Sequence, residues 1–405
     1  MEFELDVGLR ECQIGEYFSQ IGKCIWCDQA QGYSLDQMRE PGDCKPCPSD
    51  KADCSGGNEI GPKPGYWRPS NTSSNFMRCP NPDVCLGWVA PHWNPKGQCA
   101  EGYGGVLCAE CAPGYSLSGL AKCGKCPEMT SNVVKLVLML ILIICLFAFM
   151  VRSTLNSASQ PKNLTSIYMK ILMNHFQLIL LVSSFNFKWP EQLETFFKQT
   201  APVSEASSQV ISVDCFLTSS SSSKAASSIE GNYFHTFFVK LVIFTLMPII
   251  LGAVSYAFWW VQMKVKKMTS FQRGKAISTL VISLFIIHPN IVQYMFNDFN
   301  CKDIDGEKRV IQDMTIRCWG PVHSFWSYIV ALPSIIVWGL GIPFFAFILM
   351  YRERHHLQKV ETKEKFGFLY NGFQNELFFW EIVVMYRKIA MIFISVFIQP
   401  QGVIT

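Results

Sequence analysis

Apolar residues are distributed unevenly along this chain of 405 residues. The first 130 residues contain no long apolar run, whereas such runs dominate the remainder. A helix of about 20 apolar residues is long enough to cross roughly 30 Å of hydrocarbon. The pattern therefore predicts a membrane all-α fold with at least six transmembrane helices, near residues 133–151, 167–187, 234–261, 276–297, 323–351 and 377–398.

The number of these runs argues against a soluble helical protein. One run alone could be a buried core helix, but six in succession are not typical of a soluble core. The last run is the least regular, because it contains Glu381, Arg387 and Lys388. The chain starts without an apolar signal sequence and stops just after the sixth run, so we expect a processed or partial chain that is incomplete at its C-terminus.

Cysteine content changes at the same boundary. Residues 1–130 hold 13 of the 17 cysteines, several of them in CxxC pairs among Gly and Pro. We therefore predict two domains, a Cys-rich head with little regular structure (1–130) and a polytopic transmembrane domain (131–405). The CxxC spacing suits zinc and disulfides alike, and four cysteines have passable zinc-ribbon spacing: Cys24, Cys27, Cys44 and Cys47.

The loops between the predicted helices indicate which side of the membrane the head occupies. Lys and Arg favour the cytoplasmic side. With the head outside, the three loops then inside the cell carry 12 basic residues, against 7 in the two outer loops. No cysteine falls in an inner loop, and disulfides persist mainly in oxidising compartments. We therefore predict an extracellular N-terminus.

An oxidising environment favours disulfides over zinc in the head. Cys145 lies within the first predicted helix and is expected to be a small buried apolar residue. The odd number of cysteines in the head predicts that at least one of them pairs with a loop cysteine. Among the loop cysteines, Cys301 could pair with Cys318 or Cys215. Asn71 in "NTS" is the predicted glycosylation site. The sixteen candidate disulfide cysteines are Cys12, Cys24, Cys27, Cys44, Cys47, Cys54, Cys79, Cys85, Cys99, Cys108, Cys111, Cys123, Cys126, Cys215, Cys301 and Cys318.

Charge and motifs exclude several classes of protein. The net charge of +4 comes from basic residues scattered between apolar segments, unlike the contiguous basic patch of a nucleic-acid-binding protein. The sequence contains no phosphate-binding loop, metalloprotease motif, nucleophile elbow or dinucleotide fingerprint. We therefore expect no catalytic residues, no metal and no cofactor.

Polar residues recur on one face of two predicted helices. Lys170, Asn174 and Gln177 are spaced i, i+4 and i+7, and Ser184 follows. Such a polar face is unfavourable in hydrocarbon. It could line a hydrated pathway for water or ions. Alternatively, it could form hydrogen bonds to neighbouring helices, with Lys170 reaching the cytoplasmic interface. In the fourth helix the polar residues are His288, Asn290, Gln293 and Asn297, and Pro289 predicts a kink there.

The sixth helix allows two interpretations of its charges. Glu381 and Lys388 are seven residues apart on one face, so they could form a charge pair in the inner leaflet. The interpretation that we favour places residues 366–386 along the cytoplasmic interface, where Arg387 and Lys388 would meet lipid headgroups. Pro333, Pro343 and Pro248 predict further bends in the fifth and third helices.

Three segments resemble a known family. "PGYWRPSNTSSNFMRCPNPDVCLG", "CAEGYGGVLCAECAPGYSLSGLAKCGKCP" and "KFGFLYNGFQNELFFWEIVVMYRKIAMIFISVF" are similar to parts of large Cys-rich polytopic membrane proteins of ciliates, oomycetes and algae. Their ectodomains are EGF-like or ephrin-receptor-like. The resemblance implies a Cys-rich ectodomain followed by a helical membrane domain, and a kinship with TRP or polycystin-type channels.

These patterns together suggest a protein of the plasma or ciliary membrane. It would be either a channel-like subunit or a membrane anchor of an extracellular assembly. Its partners would be the lipid bilayer and other membrane or cell-surface proteins. The alternative is a seven-helix receptor with a Cys-rich ligand-binding ectodomain.

Overall fold

The fold is taken from a computed structural model, which describes residues 10–90, 93–117, 122–126, 129–159, 164–183, 190, 192, 235–267 and 272–398. The chain divides into two compact units. We call the first, built mainly from residues 10–126, the Cys-rich module, and the second, built mainly from residues 129–398, the helical unit.

The Cys-rich module is a series of six short antiparallel hairpins. Gly and Pro at the turns leave only two to five residues for each strand. Tyr33, Ile60 and Phe76 form part of a small apolar cluster in the first half of the module. The paired strands are β1 (Glu16–Phe18) with β2 (Cys24–Trp26), β3 (Ala52–Gly56) with β4 (Glu59–Pro62), β5 (Tyr66–Trp67) with β6 (Met77–Arg78), β7 (Cys85–Gly87) with β8 (Gln98–Cys99), β9 (Tyr103–Gly104) with β10 (Glu110–Cys111), and β11 (Tyr115–Leu117) with β12 (Cys123–Lys125).

Disulfides cross-link these hairpins, as the sequence predicts. Each of the six described within the module joins two cysteines that are consecutive in the chain: Cys12–Cys24, Cys27–Cys44, Cys47–Cys54, Cys79–Cys85, Cys99–Cys108 and Cys111–Cys123. Cys126 is disulfide-bonded as well, and Cys215 lies outside the described residues. The four cysteines with zinc-ribbon spacing thus belong to three disulfides and do not form a set of four thiolates.

The helical unit follows the predicted apolar runs. Among the described residues, four helices are long and apolar enough to cross a membrane, and they correspond to the first, third, fourth and fifth runs. The second and sixth runs are also helical. The helices are α1 (Met129–Ser159), α2 (Thr165–Ser183), α3 (Thr236–Val265), α4 (Arg273–Asp298), α5 (Pro321–Arg352), α6 (Val360–Tyr370) and α7 (Trp380–Phe393).

Helices α3, α4 and α5 alternate in direction. The Ser255 hydroxyl of α3 donates to the Ala276 carbonyl of α4 over 3.0 Å. At the other end of the pair, the Tyr294 hydroxyl donates to the Phe237 carbonyl over 3.2 Å. The C-terminal end of α4 and the N-terminal part of α5 lie together, since the Ser327 hydroxyl donates to Asp298. The segment between these two helices forms a three-stranded sheet, which comprises β13 (Cys301–Ile304), β14 (Glu307–Val310) and β15 (Asp313–Arg317).

A disulfide joins Cys301 to Cys318 across this sheet, which is one of the two pairings left open by the sequence. Val310 and Ile316 pack against Phe237 and Phe238 at the start of α3. The loops at the opposite end of the helices are basic and include Lys266, Lys267 and Arg354. The disulfide-linked sheet and the basic loops therefore lie at opposite ends of the helical unit.

The predicted breaks in the helices take different forms. Pro289 lies within α4, which continues from Arg273 to Asp298. Helix α5 contains two π-helical stretches, Ser327–Ala331 and Ile335–Leu340. They lie on either side of Pro333, and the second ends just before Gly341. A further π-helical stretch, Ile394–Ile398, extends α7. Wider turns leave some carbonyls without their usual donor, which allows side chains of other helices to bind them.

The outer surface of the helical unit is apolar. Helix α3 has a mean hydropathy of 2.4, and only 22% of its most apolar segment is buried within the protein. Ile249, Ile250 and Val254 are among its exposed residues. Cys145 belongs to such a surface on α1, where its thiol is free and exposed, so the expectation that it is buried was wrong.

Candidate functional site

A buried polar cluster joins α2 to α7. We define the polar cluster as Lys170, Asn174, Gln177, Glu381 and Lys388. The first three lie on one face of α2 because residues four and seven apart occupy the same side of a helix. The last two lie on one face of α7 for the same reason. The structure brings these two faces together.

Lys388 links α7 to two side chains of α2. Its ammonium group donates to Asn174 Oδ1 over 2.5 Å and to Gln177 Oε1 over 2.6 Å. It also lies 4.5 Å from the centre of the Phe285 ring. Lys388 is 2% exposed. The interpretation favoured from the sequence, in which Lys388 contacts lipid headgroups, is therefore wrong. The neighbouring Arg387 is exposed.

Glu381 completes the link between the two helices. Its Oε1 accepts a hydrogen bond of 2.9 Å from the Asn174 amide, and its Oε2 lies 3.5 Å from Lys170 Nζ. The Asn174 side chain thus donates to the carboxylate and accepts from Lys388. Gln177 extends the network by donating to the Ile286 carbonyl of α4 over 3.3 Å.

Lys170 also connects α2 to the turn between α6 and α7. Its ammonium group donates to the carbonyls of Asn371, at 2.9 Å, and Leu369, at 3.4 Å. The Phe373 ring centre lies 4.5 Å away. Lys170 is 3% exposed, so it is held within the helical unit. Residues 366–386 accordingly do not form one interfacial helix, because α6 ends at Tyr370 and α7 begins at Trp380.

The cluster contains two cationic groups and one anionic group. Removal of a charge from water is costly, and carbonyls, amides and opposite charges offset that cost. Each of its ammonium groups has at least two oxygen partners. The arrangement can therefore hold α2, α4, α7 and the turn after α6 in one register. It also offsets the cost of burying ionisable groups inside the helical unit.

His288 lies on the side of α4 away from Asn290, Gln293 and Asn297. The His288 ring is buried, and its Nε2 lies 2.9 Å from the Gly339 carbonyl in a π-helical stretch of α5. Its Nδ1 is buried, and no described residue forms a hydrogen bond with it. Asn290 is exposed, whereas Gln293 and Asn297 are half-buried. Ser184 lies outside the described residues.

A second buried polar group was missed by sequence reasoning. It consists of Asp298 at the end of α4 and His323 and Ser327 at the start of α5. The Ser327 hydroxyl donates to Asp298 Oδ2 over 2.6 Å, and His323 Nε2 lies 3.0 Å from the Asp298 carbonyl. The one available signal was that these residues flank the same loop.

This Asp, His and Ser group has the composition of a catalytic triad but a different arrangement. Nucleophilic catalysis requires the histidine to accept the proton of the serine while the carboxylate orients the ring. Here the serine hydroxyl donates directly to Asp298, and His323 Nδ1 accepts from the Trp319 backbone over 3.2 Å. All three side chains of the group are buried. The geometry suits a structural link between α4 and α5.

Two clusters of potential metal ligands were found in the part of the chain that the structure describes. One contains Cys301, Cys318 and His323, and the other contains Cys12, Glu16 and Cys24. The two cysteines of each cluster are bonded to each other. Because metals bind the thiolate, neither cluster offers a sulfur ligand in this oxidised form.

The predicted glycosylation site lies in a turn of the Cys-rich module. Asn71 is exposed, and its backbone carbonyl accepts a hydrogen bond of 2.5 Å from the buried Arg68 guanidinium. The same guanidinium binds the carbonyls of Ser73 and Ile60, each over 2.6 Å. The turn is therefore held in place while the Asn71 side chain remains accessible.

Comparison with known proteins identifies relatives without a described activity. Residues 76–126 match a family described as "Domain of unknown function (DUF7630)". The chain is also 24% identical over 392 residues to "Cysteine repeat modular protein A" of Toxoplasma gondii, in a match that covers 79% of this chain and 12% of that protein. No solved structure matches the chain. Neither description names a channel, a receptor or an enzyme.

Proposed function

We propose that this protein is an integral membrane protein that anchors its Cys-rich module on the outer face of a cell-surface membrane. The observation that carries the proposal is the apolar exterior of the helical unit. The four described helices with mean hydropathies between 1.6 and 2.4 have no more than 44% of their spanning windows buried, and large apolar residues such as Ile250 and Phe344 are exposed on them. A soluble protein would cover apolar patches of this size, whereas lipid is their natural solvent.

The ends of the helices support the proposed orientation. The end at which α3 stops and α4 starts carries Lys264, Lys266, Lys267 and Arg273, as expected of a cytoplasmic side. The opposite end carries the sheet closed by the Cys301–Cys318 disulfide, as expected of an oxidising side. Met150, in the second half of α1, packs in one cluster with Trp259 and Leu357 near the basic end. Helix α1 therefore starts toward the oxidising end, and the module precedes α1 in the chain.

An anchoring role agrees with the stability of the module in an oxidising environment. Its six described disulfides stabilise a region that has only a small apolar cluster. The Toxoplasma relative is named for cysteine repeats, which agrees with a Cys-rich module as a structural unit of this chain. We propose that the module contacts extracellular proteins of the plasma or ciliary membrane, while α2 and α7 join the four apolar helices in the bilayer.

Topology can be tested with the protein in intact cells. It should remain in the membrane pellet after alkaline carbonate extraction. A protease added outside should remove the module, and Asn71→Gln should abolish a mass shift caused by glycosidase. Ser74→Gln, a nearby exposed substitution outside the sequon, serves as the control. Release by carbonate would overturn the membrane proposal, and protease access only after permeabilisation would overturn the orientation.

A channel-like subunit is the second candidate, and the polar cluster is the observation that favours it. Three ionisable side chains within a membrane domain often mark a conduction or proton pathway. Currents from reconstituted protein that disappear with Lys170→Met and Asn174→Leu, but not with His175→Gln on the exposed side of α2, would support it. An electrically silent protein that binds an external partner stoichiometrically would support the anchor.

A further inference from the structure

A groove opens between α3 and α4 near the basic end of the helical unit. Its volume is about 450 Å³, within the range of roughly 300–1,000 Å³ that is typical of ligand sites. Its lining includes Gly252, Ser255 and Tyr256 of α3 and Arg273, Ile277 and Leu280 of α4. The polar cluster and the Asp, His and Ser group contribute no residue to this lining.

Small residues create the groove while hydrogen bonds fix its walls. The Ser255 hydroxyl donates to the Ala276 carbonyl over 3.0 Å. One turn further along α3, the Trp259 indole donates to Thr279 Oγ1 over 3.0 Å. Beside these contacts Gly252 has no side chain, and a Cβ added there would meet only Leu280 Cδ1, at 3.8 Å. The space is therefore built into two helices that are already fixed to each other.

One end of the groove is cationic. Arg273 is exposed and is the one charged residue among the described residues of the lining. Lys264 and Lys275 lie at the same end, with their ammonium groups 5.8 Å and 5.7 Å from the ring centres of Trp260 and Trp259. Arg273 is also the first residue of α4, so the unbonded N–H groups of the first turn point toward that end.

The part of the groove away from Arg273 is largely apolar. Ile277 and Leu280 line it, and Gly252 adds no side chain. A free phosphate ion would use the cationic end but leave the apolar walls in contact with water. A molecule with both an anionic head and acyl chains would match both parts.

We propose that this groove binds an anionic phospholipid of the inner leaflet. The phosphate contacts the Arg273 guanidinium, and the upper part of an acyl chain lies over Gly252 against Ile277 and Leu280. The inference rests on the proposed insertion of α3 and α4 into a membrane. Trp259 and Trp260 lie near the level that aromatic residues prefer, at the boundary between headgroups and hydrocarbon.

The test measures lipid retention by the full chain in nanodiscs. Nanodiscs of phosphatidylcholine are doped with phosphatidylserine or with a phosphatidylinositol phosphate, and the lipids bound to the released protein are counted by native mass spectrometry. We expect the anionic lipid to be enriched. Arg273→Gln should lower its retention about fivefold, the effect of one basic residue near a membrane surface. Arg352→Gln, which removes a charge at the same end of the helices but outside the groove, should leave retention unchanged.

A second pair of variants tests the acyl-chain part of the groove. Gly252→Ala should retain the lipid because the added Cβ is accommodated, whereas Gly252→Leu should fill the space and lose retention without any change in charge. Equal losses in Arg273→Gln and Arg352→Gln, or displacement of the lipid by inorganic phosphate, would overturn the site. Insertion of every variant into nanodiscs would show that the membrane proposal stands even if lipid enrichment fails.

Discussion

The Cys-rich module and the helical unit distribute polar and apolar residues in opposite ways. The module has a small apolar cluster inside and charged residues at its surface, and disulfides add the stability that its core cannot supply. The helical unit exposes its apolar residues and buries ionisable ones. The contrast indicates that the two regions fold against different solvents.

Both regions nevertheless bury a cation, and they do so by the same means. Arg68 of the module is 0% exposed and binds the carbonyls of Ile60, Asn71 and Ser73. Lys170 of the helical unit binds the carbonyls of Leu369 and Asn371. The difference is that Lys170 also lies beside the carboxylate of Glu381. A buried cation is thus matched to backbone oxygens in both regions, and a charge pair is added only in the helical unit.

Reduction of the disulfides should give the largest effect and separate the two regions. A disulfide that closes a loop of about 15 residues contributes ~3 kcal/mol, so six of them exceed the stability of a small domain. Excess reductant should make the module sensitive to protease and leave the helical signal in far-UV circular dichroism nearly unchanged. A reduced module that still resists protease would show that its core suffices without cross-links.

Replacement of Glu381 should give the next largest effect. Glu381→Gln leaves the ammonium groups of Lys170 and Lys388 without their carboxylate, and breaking a buried pair in this way costs about 3–5 kcal/mol. Thermal unfolding in detergent measures the loss. Glu376→Gln, at an exposed position shortly before α7, is the control. The double variant with Lys170→Met should recover part of the loss, and a Glu381→Gln protein as stable as the control would exclude a structural role for the pair.

The sequence predicts faces of helices better than it predicts their partners. Helical periodicity places Lys170, Asn174 and Gln177 on one side of α2, and it equally places Glu381 and Lys388 on one side of α7. It does not indicate that these sides meet, because that depends on the packing of helices that are far apart in the chain. Lys388 was expected at the headgroups because residues 366–386 were interpreted as a segment along the cytoplasmic interface.

The same limit explains the group formed by Asp298, His323 and Ser327. Each residue has an ordinary position next to a loop, and only the antiparallel packing of α4 and α5 brings them together. The disulfides of the module were more accessible to prediction, since cysteine content and sidedness indicate that they form. Their pairing was left open, because it depends on which hairpins fold around neighbouring cysteines.

Substitution of Arg68 should give an intermediate effect confined to the module. Arg68→Lys keeps the charge but cannot present the planar guanidinium to three carbonyls, so buried acceptors lose their donors at a cost of about 2–3 kcal/mol. Hydrogen exchange of residues 60–78, followed by mass spectrometry, should show faster opening, with α2 and α7 unaffected. Arg78→Lys, at an exposed position on β6, is the control, and equal protection in the two variants would contradict the role of Arg68.

The smallest effect is expected for an exposed ion pair in the module. Lys45 Nζ lies 2.8 Å from Asp36 Oδ2, with side chains 46% and 64% exposed, and pairs of this kind contribute less than about 1 kcal/mol. The hydrogen bond from Lys45 to Asp36 raises the pKa of Lys45. Its contribution is therefore fully present below the pKa of an unfolded lysine, about 10.4, and is lost as the pH rises through the raised pKa.

Asp36→Asn should consequently cost little at neutral pH, and the cost should shrink further at alkaline pH. Hydrogen exchange of the module, compared between the variant and the parent protein at several pH values, measures both effects. A cost as large as that of Glu381→Gln would remove the contrast between the two regions, because it would mean that exposure to water does not weaken a charge pair in the module. A small cost that declines with rising pH is the result expected if charge pairs matter for stability only where the protein, and not water, surrounds them.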